Sequence, residues 1–135
     1  MATWNDLVTF IRREYEIMRD EPDEIRIRLH YGEPEDREQR TQMVVVAREV
    51  LDGREDWIQI ACPFARLEQV DLVRVLTEVG ATTVVGGIVL MGPYLVLRHS
   101  LPLLNLDINE FVDPLVMVTG AADDLEEMFT GRDDF

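Results

Sequence analysis

The sequence predicts an α+β fold: a two-layer sandwich in which a mainly antiparallel five-stranded sheet carries helices largely on one face. Three observations lead there. The apolar period shortens from about 3.6 residues to about 2 at Glu24, the turn pairs Asp52-Gly53 and Gly92-Pro93 join β-branched runs, and helical periods open, divide and close the chain. The predicted order is helix, three strands, helix, two strands, helix, in one domain over residues 1–131, with 132–135 expected to be a loose tail. At 135 residues the chain is long enough to bury about two-thirds of its extended surface without a disulfide or metal.

The first helix is predicted from a capping box, Thr3 with Asp6, and from Trp4, Leu7, Val8, Ile11, Tyr15 and Met18 at three-to-four spacing. Asp20-Glu21-Pro22-Asp23 is expected to stop it, because proline cannot donate the next backbone bond. From Glu24, Ile25, Ile27, Leu29 and Tyr31 alternate with Arg26, Arg28 and His30, a strand with one face on a core. Residues 32–38 read as a polar connection. A second strand, about Arg40 to Leu51, is apolar on both faces in its middle, which makes it either central or partly covered on its second side. Asp52-Gly53 then turns the chain into a third strand, Trp57 to Cys62, closed by Pro63.

Phe64, Leu67, Val70, Val73, Leu76 and Val79 form the stripe of a second helix, with Gly80 as its left-handed cap. Val79 to Leu97 has no charged residue and nearly the length of a membrane span. Gly86-Gly87, Gly92-Pro93 and the β-branched content favour two strands instead, about Thr82 to Met91 and Tyr94 to Leu101. Gly86-Gly87 calls for a bulge or a close backbone approach. The final helix has two start signals, Asp107 with Glu110 and Asp113 before Pro114; entry at Ile108 with a kink near Pro114 satisfies both. Phe111, Leu115, Val118, Ala122, Leu125 and Phe129 form its inner face, Gly120 is read as a close crossing, and Gly131 as its end.

Charge narrows the function classes. The formal net charge is -14 with a pI near 4.4, a field that repels phosphate backbones, so nucleic acid is not an expected partner. All thirteen basic residues are arginine. The first sixteen residues lack a basic segment followed by an apolar core, and the lone cysteine fits a reducing compartment; a cytoplasmic protein is expected.

No residue pattern prepares a catalytic or metal site, and no cofactor is expected. His30 and His99 stand alone in strands without convergent ligand spacing. Cys62, in an apolar run, reads as a buried structural thiol; an enzyme would need it beside His30 or His99. Ser100, the sole serine, is placed on the face opposite His99 by strand alternation. Asp123 and Glu127 share a helix face near Asp124 and Glu126, but the cluster reads as a solvated acidic end without an ordered calcium loop, as does the acidic segment 33–38. Gly80, Gly86, Gly87 and Gly92 match no phosphate-binding fingerprint, and there is no lysine. What remains is apolar excess: Met43 to Val46, Ile88 to Met91, Tyr94 to Leu97 and Leu115 to Val118 exceed what a thin domain covers internally, which points to an oligomer or partner surface unless the helices cover it.

Tyr94-Leu95-Val96-Leu97-Arg98 leading to Leu101-Pro102-Leu103, then the helix through Phe111, Ala122, Asp123 and Leu125, resembles the YbjN-like family of bacterial sensory transduction regulators, similar in fold to type III secretion chaperones. The helix with Trp4 and the three-strand segment agree in order, so the resemblance spans almost the whole chain. It implies an α+β chaperone-like domain, often homodimeric, with no catalytic residues to carry over, and its secretion-chaperone relatives are acidic proteins that bind extended client segments. The expected function is therefore nonenzymatic protein binding by a homodimer, as chaperone-like holder or regulatory adaptor, with a basic partner favoured by charge. A small hydrolase using Cys62 and a structural subunit of a larger complex are the alternatives.

Overall fold

The computed structural model describes residues 3–31 and 40–135; the polar connection at 32–38 lies outside the described residues. Among the described residues, three helices and six strands form an α+β fold: α1 Trp4–Glu14, β1 Glu16–Glu21, β2 Glu24–Tyr31, β3 Arg40–Leu51, β4 Glu55–Arg66, α2 Leu72–Thr82, β5 Gly87–Met91, β6 Tyr94–Pro102 and α3 Ile108–Thr130. The sheet is antiparallel throughout, in the order β1-β2-β3-β4-β6-β5. It has six strands, not five. The additional one is β1, where the first helix was expected to continue.

The expected capping box forms at Thr3 and Asp6, but α1 ends at Glu14 because Tyr15 turns extended. Ile17 then faces Ile27 across the β1–β2 ladder, and the Trp4 indole donates to the Pro22 carbonyl at 2.8 Å, tying the helix start to the hairpin turn. Asp20-Glu21-Pro22-Asp23 is thus a strand end and turn, not a helix stop. A charged outer strand also blunts the sheet edge.

β2 and β3 fall where expected. Asp52 and Gly53 both take positive φ, 53° and 66°, the pair of left-handed residues that a tight hairpin turn requires. β4 does not stop at Pro63. It runs to Arg66 because the β4–β6 register shifts between Pro63 and Ala65, and a bulge is where a strand tolerates a residue with no N–H. Backbone pairing of β3 with β4 begins at Val45–Ala61; before it, the buried Gln42 amide donates to the Pro63 carbonyl at 2.8 Å in place of a ladder bond.

Phe64 accordingly packs from a strand, and a short 3-10 turn, Leu67–Gln69, precedes α2. The Asp71 carboxylate caps α2 by accepting from the N–H groups of Val73 and Arg74. The helix runs through Gly80 to Thr82, with extended Thr83 as its cap, so Gly80 is no left-handed cap. Gly92-Pro93 reverses the chain between β5 and β6, with Gly92 at φ 59°. β5 begins only at Gly87. Gly86, at φ 95°, lies so close to β6 that a Cβ there would stand 3.2 Å from the Arg98 carbonyl oxygen, the close approach expected. α3 starts at Ile108 behind the Asp107–Glu110 capping box, carries Pro114 inside and ends at left-handed Gly131. Gly120 marks no close crossing: a Cβ there would meet nothing within 4 Å.

One core holds these elements. Ile25 and Ile27 of β2, Val44 and Val46 of β3, Ile58, Ile60, Cys62 and Phe64 of β4 and Leu97 of β6 share a sheet face, and all are fully enclosed. α1 supplies Leu7 and Ile11 to this cluster, α3 supplies Phe111, Leu115, Val118 and Ala122, and α2 only Val75 as a fully enclosed side chain. Each such large side chain contributes about 1.5–3 kcal/mol over exposure, so α1 and α3 are held far better than α2. No described helix is long and apolar enough to cross a membrane.

Candidate functional site: the open sheet face

Residues directly opposite in an antiparallel ladder point to the same face. The register therefore builds the second face of the sheet in rows: Arg26, Val45, Ala61 and Arg98; Glu24, Ala47, Gln59 and Ser100; Glu16, Arg28 and Met43. Pro63, Val96 and Val89 continue it towards β5. The helical residues of the core cluster pack against the opposite alternation. This second face is apolar in its middle and holds a groove of about 360 Å³ lined by Met43, Val45, Ala61, Pro63, Tyr94 and Val96, with Arg26 and Glu24 at one side. Tyr94 meets the Phe135 ring edge-on at 5.8 Å and carries the Arg66 guanidinium over its face at 5.4 Å.

The four apolar stretches singled out in the sequence divide between these environments. Val44, Val46, Leu95, Leu97, Leu115 and Val118 are enclosed in the core. Met43 and Val45 remain half-buried on the open face, while Leu90, Met91, Val116 and Met117 are exposed. Helices cover part of the apolar excess and leave the rest.

The charges on the β1 and β2 side of the open face are paired, whereas Arg98 of β6 is exposed with no ion pair among the described residues. Glu16 holds His30 Nε2 at 2.5 Å and Arg28 at 4.0 Å; the pairs Glu21–Arg19 and Glu24–Arg26 stand at 2.6 and 3.0 Å. The bond to His30 keeps the Glu16 carboxyl below its ordinary pKa. Gln59 donates to Glu49 at 3.0 Å.

A second polar locus lies where α3 ends over the start of β3. Asp123 and Glu126 are buried, not solvated, and share one cation: Arg40 Nε approaches Asp123 at 3.0 Å and Nη2 approaches Glu126 at 3.5 Å. Nη2 also donates to the Arg132 carbonyl at 2.8 Å, Thr41 N–H donates to Asp133 at 3.1 Å, and Asp134 N–H donates to Glu126 at 2.9 Å. Residues 132–135, expected to be loose, are thus bonded to β3 and α3. The oxygens of Asp123, Glu126 and Asp133 lie within 4.8 Å of one another. The guanidinium occupies the electrostatic role that a metal ion would fill. Burial, with Asp133 adding to it, pushes the Glu126 carboxyl up to about 7, and burial raises Asp123 as well. The sequence does not show this clamp because Arg40 and Asp123 are distant in the chain; its one local signal is a cation at the start of a strand whose middle is apolar.

The remaining chemical candidates do not converge. Cys62 is fully enclosed on the helical face, and burial raises its thiol pKa, which disfavours the nucleophilic thiolate. His30 stands on the opposite face, bonded to Glu16. His99 shares the face of Cys62 but pairs in register with Ile60, and Ser100 lies on the open face, as strand alternation requires. Asp124 and Glu127 are the exposed members of the acidic helix end. No protein-family model matches this chain, and no curated protein matches it.

Proposed function

We propose that this chain is a nonenzymatic protein-binding domain of YbjN-like type, acting as a homodimer and serving as a chaperone-like holder or regulatory adaptor. The observation that carries the reading is the sheet face left without helices. Its centre is apolar and grooved, with Met43, Val45 and Tyr94 half-buried there; the charges beside it on β1 and β2 are paired, and burying it against a polypeptide removes that apolar surface from water at little cost in broken ion pairs. The net charge of -14 keeps the free protein soluble and draws basic clients at long range. A reducing, cytoplasmic setting accords with one enclosed thiol.

The test is competition at the groove. Apolar, extended peptides added to the purified chain should shift amide and methyl signals of Val45, Ala61 and Val96, and Val45→Glu should abolish the shifts. A chain that is monomeric at every concentration and whose open-face signals respond to no peptide would refute the reading. No observation favours the hydrolase alternative, since the Cys62 thiol is sealed under the helices.

A further inference from the structure

Residues 131–135 leave the helical layer and finish on the opposite face of the sheet, and each step of that path is bonded. Gly131, left-handed at φ 66°, terminates α3. The Arg132 carbonyl accepts from Arg40 Nη2 at 2.8 Å, beside Asp123. Asp133 accepts from the Thr41 N–H at 3.1 Å, a donor that lies ahead of the first β3–β4 pair, Val45–Ala61. Asp134 N–H donates to Glu126 at 2.9 Å, and Phe135 enters the open-face groove, its ring edge-on to Tyr94 at 5.8 Å. Arg132, Asp133 and Asp134 are exposed, whereas Phe135 is half-buried. The segment thus makes polar bonds along its length and one apolar contact, at its far end. Phe135 and Tyr94 share the groove with Ala61, Pro63 and Val96, which are buried although this face carries no helix.

We infer that residues 132–135 are a strap that occupies the open-face groove in cis, and that an extended client presenting an aromatic side chain enters by displacing Phe135. The inference rests on the reading of the groove as a client site and adds the element that controls access to it. Such a strap must hold its place without being sealed there. Ordering four residues costs conformational entropy, and bonds made by exposed groups return little of it, because water offers the same partners when they open. Half-buried, Phe135 forgoes part of the hydrophobic gain that full enclosure gives. Attachment through Gly131 offsets this by keeping the ring at high local concentration beside the groove, so a weak contact is usually made and readily broken. Release leaves Arg40 paired with Asp123 and Glu126, and the clamp between α3 and β3 survives it. The strap also displays the chemistry the groove takes: an aromatic edge against Tyr94, whose ring face carries the Arg66 guanidinium at 5.4 Å.

The test is a titration of the full chain with a capped, uncharged peptide of alternating threonine and valine around a central phenylalanine, followed at the methyl signals of Val45, Ala61 and Val96. Phe135→Ala opens the groove and should tighten peptide binding at least about fivefold, because the wild-type affinity is reduced by the share of molecules whose groove is closed. Asp133→Ala removes the acceptor for Thr41 N–H without altering the groove lining, and should tighten binding in the same direction by at least about twofold. Both variants should keep the wild-type far-ultraviolet dichroism, since neither residue belongs to the enclosed core; a gain in affinity is also not what a damaged fold produces. Before peptide is added, Phe135→Ala should already shift the Val45 and Val96 methyl signals through loss of the ring's field, and unchanged signals would overturn the inference. Binding that is equal or weaker in both variants makes Phe135 a bystander or a part of the client site, which overturns the inference while leaving the groove as a client site. A peptide bound by neither wild type nor variants overturns both.

Discussion

Glu126 shows most directly how a single environment changes what a residue does. In sequence it is one of four acids near the end of a helix; in the fold it is fully enclosed, facing Arg40, Asp123 and Asp133, with its carboxylate accepting from Asp134 N–H. Its folded pKa of about 7 lies above the unfolded value, so the folded chain keeps a proton that the unfolded chain has released. Stability from this group is therefore full below the ordinary carboxylate pKa, declines as pH rises to about 7, and is level beyond. Burial of Asp123 acts in the same direction. Urea unfolding midpoints at about pH 5 and about pH 8 should differ in wild type, and Glu126→Gln should flatten that difference. Arg40→Ala leaves the carboxylates without their cation and should cost about 3 kcal/mol at about pH 8, less at about pH 5. Two glycines give an opposed pair: Gly86→Ala forces a side chain into a φ of 95° against the Arg98 carbonyl and should cost about 1–3 kcal/mol, whereas Gly120→Ala meets open space in a helix and should gain up to about 1 kcal/mol. Thermal or denaturant melts read both signs.

At the scale of elements, α2 differs from its companions. Only Val75 is fully enclosed, while Leu72, Val73 and Leu76 are exposed, so its retention depends on the Asp71 cap and on the chain connections at its ends. Asp71→Ala should cost about 1 kcal/mol. Hydrogen exchange should release the α2 amides well before those of β3 and β4, which are flanked by paired strands on both sides; equal protection would show that α2 is held by more than these contacts. The same imbalance explains why the sequence misplaced this helix. Phe64, Leu67 and Val70 fit a helical period with Val73 and Leu76, but Phe64 belongs to a bulged strand and Leu67 to a 3-10 turn. At the other end of the sheet, Tyr15 and Met18 extended the period of α1, yet Ile17 opposite Ile27 gained more as a strand partner than as a helical residue.

For the whole molecule, the decisive feature is asymmetry between layers. Helices seal one side of the sheet around Phe64, Phe111 and the fully buried isoleucines, whereas the other side retains an apolar centre flanked by ion pairs on β1 and β2. If copies of this chain associate, added salt should strengthen the association by screening the repulsion of a net charge of -14, the reverse of what paired opposite charges across an interface would give. Raising ionic strength while following the sedimentation coefficient distinguishes the two directly.

The α+β class, the alternation of β2 and β3, both tight turns, the end caps of α3 and the burial of Cys62 are legible in the sequence, because each is set by side-chain period or by backbone chemistry within a few residues. Tertiary structure alone decided that residues 16–21 form a sixth strand, that β4 passes through Pro63, that Arg40 reaches Asp123 and Glu126, and that the arginines of three strands gather on one open face. Those outcomes depend on strand register and long-range pairing. Register assigns every side chain to one face or the other, and it is fixed only when the competing burial and hydrogen-bond energies of distant segments are settled together.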